Sequence, residues 1–430
     1  MKHRVALFLF CVVWAGASAR AEVRTLTLKQ AVELALQQNP DVALARLDEQ
    51  RAALEVQVVR EPLLPRVYAG SGLAYSNGFP MSIEGSAPSI VQAKAVRNLY
   101  SRPQGFQVAQ MRELARGATL SAAQVREEIA LKTAVLFLDF EKATRSIELA
   151  AKQLDQLRRV EALVRLRIEE GRESEIEGRR AALNAARARQ KAGMLERQAR
   201  RLRSELGALL GLPPAETLQP AAEERAELTL PVDEAASVSE ALRDNPEIRK
   251  LESDIAAKNL QARSFRAMRY PKIDLVAQYG LFSKINNYTD YFRTFQANNG
   301  QIGLSVSVPL FANPQDLAQA AQSEIDRERL AVQLHRTRGR VENETRQAWE
   351  EIRQARTSLE IARLDLDVSR EQTRILLAQL DAGRVLLKDV ELARMQEEDR
   401  WLQLYEARTS LERAQLQILR QTRTLIAALK

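Results

Sequence analysis

Catalysis by a nucleophile or a metal needs side chains that this sequence scarcely carries. The 430-residue chain has one cysteine and two histidines. Cys11 and His3 lie in its first residues, which leaves His335 as the one imidazole of the remainder. A serine–histidine pair or a histidine-based metal centre would have to be built around that single ring. Acids are plentiful, but they are scattered along helical faces, where solvation is the expected role. No enzymatic activity, metal or cofactor is therefore expected. The net charge is +8, but the charges are of mixed sign along helices, which does not make a nucleic-acid stripe. Two turns remain that place acids next to a reversing backbone. One reads Gly171-Arg172-Glu173-Ser174-Glu175-Ile176-Glu177, the other Gly383-Arg384-Val385-Leu386-Leu387-Lys388-Asp389. A glycine there lets the chain reverse at positive φ where two helices meet.

The chain begins with a basic Lys2-His3-Arg4, an apolar run from Val5 to Trp14 and the small residues Ala17-Ser18-Ala19. This is the grammar of a secretory signal peptide over residues 1–21, with cleavage after Ala19 or Ala21. The bulky Phe10 before Cys11 argues against a lipoprotein site, so the exported chain is expected to hold no thiol and no disulfide. No later stretch is apolar for long enough to make a membrane helix.

The elements that carry the two turns are written twice. Asn39-Pro40 and Pro65 recur as Asn245-Pro246 and Pro271, at an offset of 206. Leu99 to Gln104 matches Leu310 to Gln315 at 211, and Gly171-Arg172 matches Gly383-Arg384 at 212. The offset drifts only where loops tolerate insertion. The first repeat is assigned to residues 22–230, with a β-hairpin about 66–98 and a long helical hairpin about 104–210. The second is assigned to 231–430, with a β-hairpin about 272–309 and a long helical hairpin about 314–430.

From Gln104 to Glu170 and from Pro314 to Ala382 the helical pattern meets no internal proline. Each run predicts a rod of roughly 100 Å. In the second rod Ile352, Leu359 and Leu366 form a stripe with Ala355 and Ala362, while Ile361, Leu364, Val368 and Ile375 form another about 200° round the helix. Two seams suit a wall with a neighbour on each side, though an ordinary bundle would show similar periodicity. The last helix repeats the habit with Leu404, Ala407, Leu411, Ala414 and Ile418.

In the hairpins Ile273, Leu275, Ala277, Tyr279 and Leu281, and Ile302, Leu304, Val306 and Val308, alternate with mostly small or polar residues. Val67, Ala69, Leu73 and Tyr75 stand at the matching places of the first copy. Such alternation fits strands with lipid on one side and water on the other, and it also fits a soluble half-buried strand. Lys94 is assigned to the watery side and Arg97 to the membrane edge. Four strands cannot close a barrel with a lumen, and open edges do not occur in lipid. Either the strands are not in lipid, or several chains share one barrel.

The run from Leu28-Lys29-Gln30-Ala31 to Asn39-Pro40, the Leu64-Pro65 strand opening, the Ser307-Val308-Pro309-Leu310-Phe311 run and the paired glycine turns resemble the TolC family of outer-membrane efflux proteins. The resemblance implies a mainly α fold with a membrane β-barrel portion: a homotrimer with a shared twelve-stranded barrel in outer-membrane lipid and a trimeric α-barrel reaching through the periplasm of a Gram-negative-type bacterium. It implies a periplasmic adaptor and an inner-membrane pump as partners, and drugs, metals, small molecules or polypeptides as cargo. It makes Gly171, Arg172, Ser174, Glu177, Gly383 and Arg384 the adaptor-facing tips, and Asp389 an acidic ring at the pore constriction. Glu177 stands where the family has aspartate, Leu386 where it has a hydroxyl, and Leu392 where it has a second acid. The competing reading is a periplasmic coiled-coil structural or adaptor protein, which would carry one long hairpin rather than two.

Overall fold

The computed structural model describes residues 23–72, 89–213, 217–221, 225, 228–282, 298–311, 313–382, 384–385 and 387–429. The expected signal peptide, with Ala19 and Ala21, and Leu73, Tyr75 and Gly383 lie outside the described residues.

Helix α1 (Leu28–Gln38) starts in a capping box between Thr27 and Gln30. Asn39 ends it and caps α2 (Pro40–Arg60), its side-chain oxygen accepting from the Asp41 and Val42 amides. Asn245 does the same between α5 (Glu234–Asp244) and α6 (Pro246–Ala267). An amide acceptor followed by proline, whose missing N–H costs nothing in a first turn, makes Asn-Pro a helix-to-helix joint. The rods are α3 (Arg102–Glu169) and α7 (Pro314–Asp381), each 68 residues or about 100 Å long. Helix α3 starts two residues before Gln104 because Pro103 fits its first turn. Helices α4 (Glu175–Leu209) and α8 (Leu387–Gln421) run back, and a short α9 (Leu425–Ala428) follows.

The rods are shared by two tiers. In one, α2 packs on α3, α3 on α6 and α6 on α7. In the other, α4 packs on α3, α3 on α8 and α8 on α7. The main core lies where the tiers meet. There α1 (Ala31, Val32, Ala35), α3 (Ala134, Phe137, Leu138), the end of α4 (Leu206, Leu210) and the C-terminal Leu425 are buried together. A parallel strand pair, β1 (Val23–Leu26) with β4 (Thr217–Pro220), covers this region and was not expected from the sequence. Away from this core, α4 buries Ala181, Ala185, Ala192 and Ala199.

At the other end of the rods lies one antiparallel sheet in the order β2 (Arg66–Gly72), β3 (Ser89–Ser101), β5 (Lys272–Phe282), β6 (Asn298–Ser307). The hairpins of the two repeats are joined through β3 and β5, and β2 and β6 are its edges.

Candidate functional site

The two ends of the rods are where the sequence concentrates special residues. At the first turn Gly171 has φ +69, its amide donates to Ile168 and the Arg172 amide donates to Arg167 at 2.8 Å. That six-to-one closure needs a left-handed residue, and the space beside Gly171 is open, so backbone conformation alone selects glycine. The Arg384 amide closes on Gln379 at 2.8 Å in the same way at the second turn. Ser174 opens α4 through its backbone, its carbonyl accepting from Glu177 and Gly178, while its hydroxyl makes no cap. Arg172 pairs with Glu170 at 3.3 Å and Glu177 with Arg180 at 2.5 Å, so the charges of this turn are tied within it. Asp389 is exposed in the first turn of α8, where the helix dipole favours a carboxylate. Leu392, one turn on, is exposed.

Gly178 escaped the sequence reading. A Cβ there would lie 2.6 Å from the end of the Ile168 side chain, so α4 packs tightly on α3 just behind the first turn. The signal was present: its counterpart 212 residues on is Val390, which is fully buried.

Between the turns and the central core, ion pairs tie neighbouring columns. Lys142 of α3 reaches Glu406 of α8 at 2.5 Å, and Asp139 pairs with Arg413. Lys191 of α4 reaches Asp399 at 3.6 Å. Arg400 of α8 meets Asp365 of α7 at 3.2 Å, and Arg370 meets Glu397 at 3.7 Å while lying over the Trp401 ring. These pairs are largely exposed, so each contributes at most about 1 kcal/mol. The central belt is different. Arg225, in the segment between β4 and α5, bridges Glu141 of α3 at 2.7 Å and Glu412 of α8 at 2.9 Å, all three largely buried. Burial alone would lower the guanidinium pKa; Glu412 and Glu141 outweigh it and raise it. The nearby Tyr405 hydroxyl is pushed above its usual range by burial, then by Glu141. Glu127 is buried on α3, and burial pushes its carboxyl up to about 7 against the pull of Arg423.

The sheet has one apolar and one polar face. Val67, Ala69, Val91, Ala93, Ala95, Ile273, Leu275, Ala277, Ile302, Leu304 and Val306 share the first by register, with Arg97 opposite Leu275 as its one charge among the described residues. Ile302 and Leu304 are 76% and 65% exposed, far more than a water-facing strand tolerates for large aliphatics in a row. Arg66, Tyr68, Gln92, Lys94, Asn98, Lys272 and Asp274 share the second face and line a hollow of about 520 Å³. The polar face is therefore the concave one, and Lys94 lies on it as expected. No described helix is long and apolar enough to cross a membrane. Among the described residues no cluster of His, Cys, Asp and Glu could hold a metal.

Residues 237–422 match the family model described as "Outer membrane efflux protein". The chain has the fold of the TolC-type channels, and its second repeat carries their family signature. CmeC, an outer membrane channel of Campylobacter jejuni, superposes with a TM-score of 0.76 at 15% identity, covering 93% of this chain and 86% of that one. CusC, described with transmembrane channel formation, gives 0.74 at 16% identity, covering 96% and 95%. VceC, an outer membrane protein of Vibrio cholerae, gives 0.70 at 16%, covering 94% and 95%. No match was found among curated protein sequences. The printed descriptions of the family model and of these neighbours are of outer-membrane efflux proteins and channels.

Proposed function

We propose that three copies of this chain close into one tube that serves as the exit duct of a tripartite efflux or type I secretion system. The observation that carries this is the four-stranded sheet whose outer edges, β2 and β6, have no strand partner among the described residues, while its convex face is apolar. Lipid forbids an open strand edge, so β6 of one copy pairs with β2 of the next, and three copies give twelve strands. The helices repeat the argument. Leu44, Leu47, Leu54 and Val58 are exposed along α2, and Ile325, Val332, Ile361, Leu364 and Val368 along α7. Helices α2 and α7 are the lateral edges of the tier next to the sheet, and α7 is also an edge of the other tier, where Ile361, Leu364 and Val368 lie beside α8; a second copy covers these edges.

In this reading the barrel sits in the outer membrane and the helical columns reach through the periplasm. The turns at Gly171 and Gly383 are the free tips that meet a periplasmic adaptor, itself bound to an inner-membrane pump. Arg172, Ser174, Glu177 and Arg384 form the adaptor-facing surface. Asp389 from three copies makes an acidic ring at the narrow mouth, attracting cations and repelling anions. Drugs, metals, small molecules or polypeptides pass through without chemistry. Electron microscopy of the detergent-purified protein tests the assembly. A three-fold tube longer than about 100 Å is expected. A stable monomer with its hairpins folded onto its own helices would overturn the proposal.

A further inference from the structure

The concave face of the sheet is not electrically balanced. Its cations among the described residues are Arg66, Lys94 and Lys272, and its one carboxylate is Asp274. That carboxylate is taken, by Lys272 at 3.0 Å and by the Asn98 amide at 2.9 Å. Arg66 is paired with Glu61, in the turn that leads into β2, at 2.9 Å. Lys94 makes no ion pair among the described residues. In its own row across the sheet stand Tyr68, Gln278 and Gln301, and no acid. The row farther from the helices holds Gly70, Gln92, Gly280 and Asn299. The row nearer to them holds Arg66, Val96, Val276 and Gly303. Three successive rows thus carry cations and neutral side chains, with no acid. Gly70 and Gly303 leave open space beside them in the adjoining rows.

We propose that Lys94 forms a binding site for multivalent anions inside the barrel, and that this site favours anionic cargo in the outer half of the duct. The inference rests on the trimeric duct reading, because three copies bring three ammoniums into one lumen. Twelve tilted strands spaced about 4.8 Å apart enclose a backbone radius of about 12 Å. A lysine side chain reaches about 6 Å inward, which puts each ammonium about 6 Å from the axis. The Debye length at physiological salt is about 8 Å, so the three fields overlap at the centre of the pore. A single negative charge gains little there, while phosphate or carboxylate groups on one molecule add their attractions and accept the ammonium protons. Gln278 and Gln301, which hydrogen-bond to each other at 3.0 Å, and the Tyr68 hydroxyl supply neutral donors in the same row. The barrel end and the tip end thus carry opposite charge preferences, set by Lys94 and by Asp389.

Single-channel recording in planar bilayers tests this, with tripolyphosphate as the probe in 0.15 M KCl, added on the barrel side or on the tip side. Barrel-side addition is expected to block the current, and the Lys94→Gln variant to weaken that block at least tenfold. Lys94→Arg should retain it, and 1 M KCl should abolish it in the wild type. Lys94→Gln keeps a polar side chain of similar reach, and its single-channel conductance reports an intact barrel. A conducting Lys94→Gln channel blocked as strongly as the wild type overturns the anion site and leaves the duct standing. A wild-type protein that never conducts overturns the duct, and the anion site with it.

Discussion

Glu127 shows how far a residue's chemistry is set by partners distant in sequence. It sits mid-helix among Arg126 and Glu128, and nothing local distinguishes it from a solvated acid. Burial comes from the chain's far end, where Arg423 and the Ile426 backbone face it. Its folded pKa of about 7 lies above the ordinary carboxylate value of 4.5, so the folded protein binds the proton more tightly than the unfolded chain. The stabilisation from that protonation is complete below about pH 4.5 and is lost as pH rises through 7. Glu127→Gln removes the titration. The variant should match the wild type at pH 4.5 and exceed it above pH 7.5 by about 2–3 kcal/mol. Thermal melts in detergent across that range check this, and parallel pH profiles for the two proteins would refute it. Some of this region was legible. Arg423 has φ +61, and it occupies the repeat position of Gly211, which has φ +68. Aligning the repeats to their ends exposes a left-handed arginine. The Arg225 bridge was not legible, because its partners lie 84 and 187 residues away and its own segment has no periodic pattern.

Periodicity was most informative for elements that repeat their environment over many turns. Both stripes of α7 were visible, and the structure separates them. Ile352 and Leu366 are buried, while Ile361, Leu364, Val368 and Ile375 are exposed. The two stripes therefore do different work. Ile352→Ala leaves a cavity against Ala414 and Ile418 and should cost about 2–4 kcal/mol in the fold itself. The double change Ile361→Asp with Leu364→Asp falls on side chains that are mostly exposed in the single chain. It should leave helicity by circular dichroism unchanged and shift the protein from trimer to monomer in sedimentation. A trimer that survives both charges would show that this stripe faces something other than a second copy. The hairpin strands were legible by the same logic with a period of two. The β1–β4 pair was not, since four residues are too few to show an alternation and the partners stand 194 apart in Val23 and Thr217.

At the scale of the molecule, the distribution of buried groups decides what can move. The large side chains and the Arg225 bridge are concentrated in the belt where the two tiers meet, while the columns beyond it are joined by small residues and exposed ion pairs. The belt is thus the more tightly packed part, and in the proposed duct opening would be a bending of α3–α4 and α7–α8 away from the axis beyond the core. Asp389→Cys tests this on the whole assembly. If three copies bring residue 389 to one narrow mouth, thiols there pair across copies under oxidation. Export of a fluorescent cargo from whole cells should then stop and should return when the link is reduced. Insertion and trimer content should stay unchanged throughout, because the belt and the barrel are untouched. Normal export with the links in place would mean that cargo does not pass residue 389, and the acidic mouth would have to be sought elsewhere along the columns.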